Sequence, residues 1–119
     1  MKRRLGTTFA VVAMLLTLGA CSSSPIVPPG ADIPEFISNA STAADHQRLA
    51  DYFARRASSY EADAKQHERM AVAYAGHPKG DAGIWAAHCS ALRVKLTEAA
   101  REARTLEKAH RDLAERLSR

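Results

Sequence analysis

From Thr42 onward, apolar and small residues recur at the spacing of a helix rather than a strand. Leu49, Phe53, Tyr60, Met70 and Tyr74 supply the large positions, and alanine returns every seventh residue at Ala43, Ala50, Ala57, Ala64 and Ala71. Gly76, Pro78, Gly80 and Gly83 then break the pattern. A second stripe runs Trp85, Cys89, Leu92, Leu96, Ala99, Ala103, Leu106, His110, Leu113 and Leu117. Its spacings alternate four and three, which is the a/d seam of a coiled coil. Thr42 and Asp45 have capping-box spacing, so the first helix is predicted at about 42–75. Asp81 is placed to cap a second helix at about 82–118.

The two stripes fit each other. In an antiparallel hairpin, residues at one height have position numbers with a constant sum. Phe53 with Ala103, Tyr60 with Leu96, Ala50 with Leu106, Ala57 with Ala99, Ala64 with Leu92 and Ala71 with Trp85 all share one sum. Small residues mostly face large ones, and the turn centre falls at Pro78. The expected fold is therefore all-α: a long, coiled-coil-like antiparallel two-helix hairpin with an Ala-rich seam. Each helix would be roughly 50–55 Å long at 1.5 Å per residue. Two helices cannot enclose their own seam, so self-association is expected, most simply two hairpins forming a four-helix bundle.

The N-terminal third reads differently. Lys2, Arg3 and Arg4 precede an apolar run from Leu5 to Leu18, the layout of a secretory signal. At about 14 residues the run is too short to span a bilayer comfortably. It closes on Leu18-Gly19-Ala20-Cys21, which resembles the lipobox of bacterial lipoproteins. The resemblance implies a signal peptide over 1–20, diacylglycerol on the thiol of Cys21, cleavage after Ala20, and acylation of the new amine by a chain such as palmitate. Ser22, standing where such proteins retained in the inner membrane tend to carry Asp, implies the outer membrane, with the domain facing the periplasm. Residues 21–41 read as a lipidated Cys and a Ser/Pro-rich tether. Ser22-Ser23-Ser24, Pro25, Pro28-Pro29-Gly30 and Pro34 argue that this stretch stays extended, with no helix, as far as Ala40. Ile33, Phe36 and Ile37 are placed to dock on the helical domain of 42–119.

Charge adds one exclusion. The chain of 119 residues has 17 Lys and Arg against 13 Asp and Glu. Without Lys2, Arg3 and Arg4 the remainder holds 14 basic and 13 acidic residues, which is no footprint for nucleic acid. Asp51 with Arg55, Glu61 with Lys65, Glu107 with Arg111, Asp112 with Arg116 and Glu115 with Arg119 each place an acid four residues before a base, as solvated helix faces do.

The unusual seam residues are His46, His67, Cys89 and His110. His46 pairs with His110, and His67 with Cys89, by the same constant sum; His88 borders the second pair. Imidazole and thiolate are ligands for zinc, copper or haem, and helix bundles build such sites from facing helices. The bland reading is repeat drift, a core histidine every three heptads hydrogen-bonded to a backbone carbonyl, to Tyr60 or Tyr74, or to a helix end. His46 and His67 stand three heptads apart, ~31 Å, and cannot share one ion within a hairpin. A dimer would be needed to bring His₂Cys₂ together. No CxxCH stretch occurs, which excludes covalent c-type haem. Cys89 is inert by burial, a ligand, or paired across a dimer, and its seam position favours burial.

No Gly-rich phosphate loop, His-Glu-x-x-His or Ser-His-acid grouping is present, so no enzyme activity and no cofactor is expected. The leading expectation is a membrane-anchored envelope lipoprotein, a non-catalytic helical scaffold or interaction module whose partner is its own copy or another helix. The alternative is a periplasmic metal- or haem-binding protein using the seam histidines.

Overall fold

A computed structural model describes Val27, residues 31–77 and residues 79–119. The signal segment, Cys21 and Pro78 lie outside the described residues. Among those described the protein is all-helical: α1 (Ile33–Asn39), α2 (Ala43–Ala75) and α3 (Ala82–Leu117), with α2 and α3 packed against each other. None of these helices is long and apolar enough to cross a membrane.

The first helix corrects the sequence reading. Residues 33–39 are helical, although the proline content of the tether predicted an extended chain. Pro34 sits in the first turn, where its missing N–H has no partner to lose and its fixed φ already suits a helix. Asp32 caps that turn by accepting from the Glu35 N–H at 3.2 Å. None of its side chains is buried; Ile33 and Phe36 are half-covered and Ile37 is exposed, so the expected docking is at most partial.

The long helices begin and end close to where the pattern placed them. Thr42 and Asp45 form the capping box reciprocally: Thr42 Oγ1 accepts from the Asp45 N–H at 3.1 Å, and Asp45 Oδ2 accepts from the Thr42 N–H at 3.0 Å. The Thr42 hydroxyl and the Ser41 N–H add bonds to the same carboxylate oxygen. These donors, the Thr42 hydroxyl foremost, hold the Asp45 carboxyl below its ordinary pKa. At the other end α2 stops at Gly76, whose N–H returns to the Val72 carbonyl at 3.0 Å. The His77 Nδ1–H donates to the Ala73 carbonyl at 2.9 Å. Gly80 has φ +59°, a left-handed conformation that suits glycine. Asp81 stands at the N-cap of α3 but makes no side-chain capping bond; only its carbonyl is used, by the Ile84 and Trp85 N–H groups. The sequence expected a working cap there.

Between the helices the core is mostly alanine. Leu49, Ala50, Ala57 and Ala64 are buried on α2, and Ala82, Cys89, Ala100, Ala103 and Ala114 on α3. Leu49 is the single large side chain that is fully buried among the described residues. The alanine column of α2 thus lies where its heptad put it. On α3 the buried face is rotated from the expected stripe: Trp85, Leu106 and Leu117 are 53%, 44% and 52% exposed. Ala100, Glu107 and Ala114 turn inward instead, each one residue beyond an expected seam position. Two physical causes act together. A straight helix drifts ~20° per heptad against a strict seven-residue repeat. Alanine on the facing helix also gives a side chain at these three positions little to pack against.

Candidate functional site

The two helices bring His46 and His110 into direct contact. His46 is on the first turn of α2 and His110 lies two turns from the end of α3. Their Nδ1 atoms are 3.1 Å apart, so one nitrogen carries the proton that the other accepts. The rings stack with centroids 5.3 Å apart and 22° between planes. Phe53, one heptad beyond His46, stacks on His110 at 5.6 Å and 6°, and Tyr52 meets Phe53 edge-on at 5.2 Å. Burial in this ring stack, and secondarily the proximity of His46, holds the His110 imidazole below its ordinary pKa.

The expected partner of His46 is therefore the observed one. Two nitrogens 3.1 Å apart would subtend roughly 100° at a metal bound at about 2.0 Å, an angle that adjacent ligands of zinc or copper adopt. A full donor set is not assembled around them. Among the described residues no group of three or more His, Cys, Asp or Glu side chains could hold a metal ion.

The second layer is less complete. Cys89 is buried and free, and His67 is half-buried with its Nδ1 enclosed and without a hydrogen-bond partner. No hydrogen bond joins them, and His88 is exposed on the outer side of α3. The bland expectation for His67, a bond to a carbonyl or a tyrosine, is not met at Nδ1. Tyr60 instead accepts a hydrogen bond from Arg56, whose guanidinium also lies over the Tyr60 ring at 4.6 Å.

A charged network that sequence spacing missed ties the outer rim. Arg104 grips Glu61 with two bonds, Nε to Oε1 at 3.1 Å and Nη2 to Oε2 at 3.2 Å, and reaches Ser58 Oγ at 3.3 Å. Its Nη1 bonds Glu107 at 2.9 Å, and Glu107 also takes Arg111 at 2.8 Å. Glu107 is only 15% exposed. The Arg104 hydrogen bond, then the Arg111 one, outweigh burial and hold its carboxyl below the usual range. Of the five acid-before-base pairs expected, Glu107 with Arg111 and Glu115 with Arg119 form. Glu61 turns across to Arg104, Asp112 takes Lys108, and Asp51 takes Gln47. Spacing within one helix carried no signal for a partner on the other.

Concavity is slight. A groove of about 410 Å³ beside the connection between α2 and α3 is lined by Met70, Ala73, Tyr74 and His77. Cys21, the expected lipidation site, lies outside the described residues. No protein-family model matches the chain, and no curated protein or solved structure shows significant similarity to it.

Proposed function

We propose that the protein is a lipid-anchored envelope lipoprotein, held in the bacterial outer membrane through Cys21, whose antiparallel helical hairpin serves as a non-catalytic scaffold or interaction module. The observation that carries the scaffold reading is an alanine seam between two long helices that leaves large apolar side chains outside. Val94, Leu106 and Leu117 on α3 are left 45%, 44% and 52% exposed. Covering them asks for a second hairpin or a helical partner, and a four-helix bundle of two copies is the simplest solution. The signal-like N-terminus and the tetrapeptide ending at Cys21 support the anchor.

Labelling of the expressed full chain with palmitate tests the anchor: label is expected on the protein and is lost in Cys21→Ser. Sedimentation equilibrium tests the scaffold, with a dimer expected at micromolar concentration. A stable, cooperatively melting monomer rejects it.

A second reading, zinc, copper or haem binding, is favoured by the facing nitrogens of His46 and His110 and by the enclosed, unpartnered Nδ1 of His67. Zinc or copper titration of the protein beside His67→Ala and His46→Ala decides it. Identical curves for all three proteins retire the metal reading.

A further inference from the structure

The seam between α2 and α3 has two unlike sides. One is polar: Arg104 reaches Glu61 across it, and Glu61, Lys65, Glu68 and Arg93 line a shallow groove along it. The other is apolar. Phe53 crosses it to stack on His110. Tyr60 and His67 follow Phe53 at heptad spacing, and α3 contributes Leu92, Leu96 and Ala99. All of these are only half-buried, so the helix pair leaves part of each uncovered. Trp85, one heptad before Leu92, is 53% exposed.

Four charges flank the apolar side. On α2 they are Arg56, whose guanidinium lies over the Tyr60 ring, and Asp63 one heptad later. On α3 they are Lys95 and Glu102, three residues past Leu92 and Ala99. All four are exposed. Among the described residues Arg56, Asp63 and Lys95 form no ion pair, and Glu102 meets only its neighbour Arg101, at 3.7 Å. The contact of His46 with His110 fixes the levels of the two helices. By it Arg56 stands within ~3 Å of the level of Glu102, and Asp63 within ~3 Å of that of Lys95. Within one hairpin these opposite charges lie on far flanks and do not pair.

We infer, building on the scaffold reading above, that a second copy covers the apolar side, turned about an axis along the rods so that α2 of each lies on α3 of the other. That rotation leaves every level unchanged, so there is no slide with which to adjust the match. Arg56 then meets the partner's Glu102, and Asp63 the partner's Lys95, each twice by symmetry. Every helix gains antiparallel neighbours, as in an up-down four-helix bundle. Both chains also leave at the same end, as two anchors in one membrane require. A copy turned end over end would instead set Arg56 against the partner's Asp63, at one chosen slide only, and send the two N-termini to opposite ends.

Charge reversal tests the pairing. Sedimentation equilibrium is run on the full-length chain carrying Cys21→Ser, so that no acyl chain adds its own association. Arg56→Glu and Glu102→Arg are each expected to raise the dimer dissociation constant about tenfold at low salt, by turning two attractions into repulsions. Combined in one chain, they are expected to restore it. Arg56→Glu/Asp63→Arg should bind more weakly than Arg56→Glu alone. Circular dichroism checks that the variants keep their helices. If Arg56→Glu does not, having lost its contact with Tyr60, Asp63→Lys with Lys95→Asp carries the same test. Rescue by Arg56→Glu/Asp63→Arg overturns the inference in favour of end-over-end pairing. A dimer indifferent to every reversal overturns it and leaves the scaffold reading standing, whereas a monomer at all concentrations rejects both.

Discussion

His46 and His110 share one proton between facing Nδ1 atoms 3.1 Å apart, and this contact closes the end of the helix pair farthest from the connection. It sets a pH dependence. The His110 pKa is lowered in the folded protein, so the unfolded chain binds the proton more readily. The contribution of His110 is full above its ordinary value of 6.5 and is lost as pH falls from there through the folded value. Asp45 and Glu107, whose pKa values are lowered from 3.8 and 4.5, act only at more acid pH. Melting temperature followed by circular dichroism should be flat above pH 7 and drop between pH 6.5 and 5. The double variant His46→Leu/His110→Leu should lose that drop and melt no lower than the parent at pH 7, because both polar partners leave together.

Leu49 carries more of the packing than any other apolar residue on these helices. It is 0% exposed, whereas Leu106 is 44% exposed despite lying on the heptad stripe. Leu49→Ala should cost about 2–5 kcal/mol in urea denaturation. Leu106→Ala should cost less than about 1 kcal/mol in the same experiment. Equal losses would place Leu106 in the seam.

The helix starts differ in the same way. Thr42→Ala removes the hydroxyl that accepts from the Asp45 N–H and donates to its carboxylate, leaving only the backbone half of the capping box, and should destabilise by about 1 kcal/mol. Asp81→Ala removes a side chain with no capping bond and should change stability by no more than about 0.5 kcal/mol. Chemical denaturation of the two variants side by side checks the contrast.

The alanine seam should resist enlargement. Ala57 is 0% exposed, and Ala57→Leu forces the helices apart at an expected cost of about 1–3 kcal/mol. Ala62 is exposed on the same helix, and Ala62→Leu should leave the melting curve where it was.

Much of this fold was legible in the chain. Period and punctuation located α2 and α3 to within a residue or so, because Thr42, Asp45 and the Gly76–Gly83 cluster are chemical stop and start signals. The constant-sum pairing identified His46 with His110 before any coordinates. The short helix at Ile33–Asn39 was missed because Pro34 reads as a breaker unless Asp32 is recognised as a cap placing it in the first turn. The face of α3 was read with a strict heptad, and a straight helix slides off that ruler. The strict heptad puts Trp85 and Leu106 in the seam, whereas the structure leaves them 53% and 44% exposed.

Alanine has one more consequence here. A column of small residues repeating every seventh position presents nearly the same surface after a slide of one heptad, ~10.5 Å along the axis. Leucine knobs would resist such slippage by interlocking; methyl groups do not. The alignment of α2 with α3 is therefore marked by its few larger contacts, the buried Leu49 and His46 on His110 at one end and Arg104 on Glu61 midway. Stripped of them, the two rods would keep their attraction and lose their place.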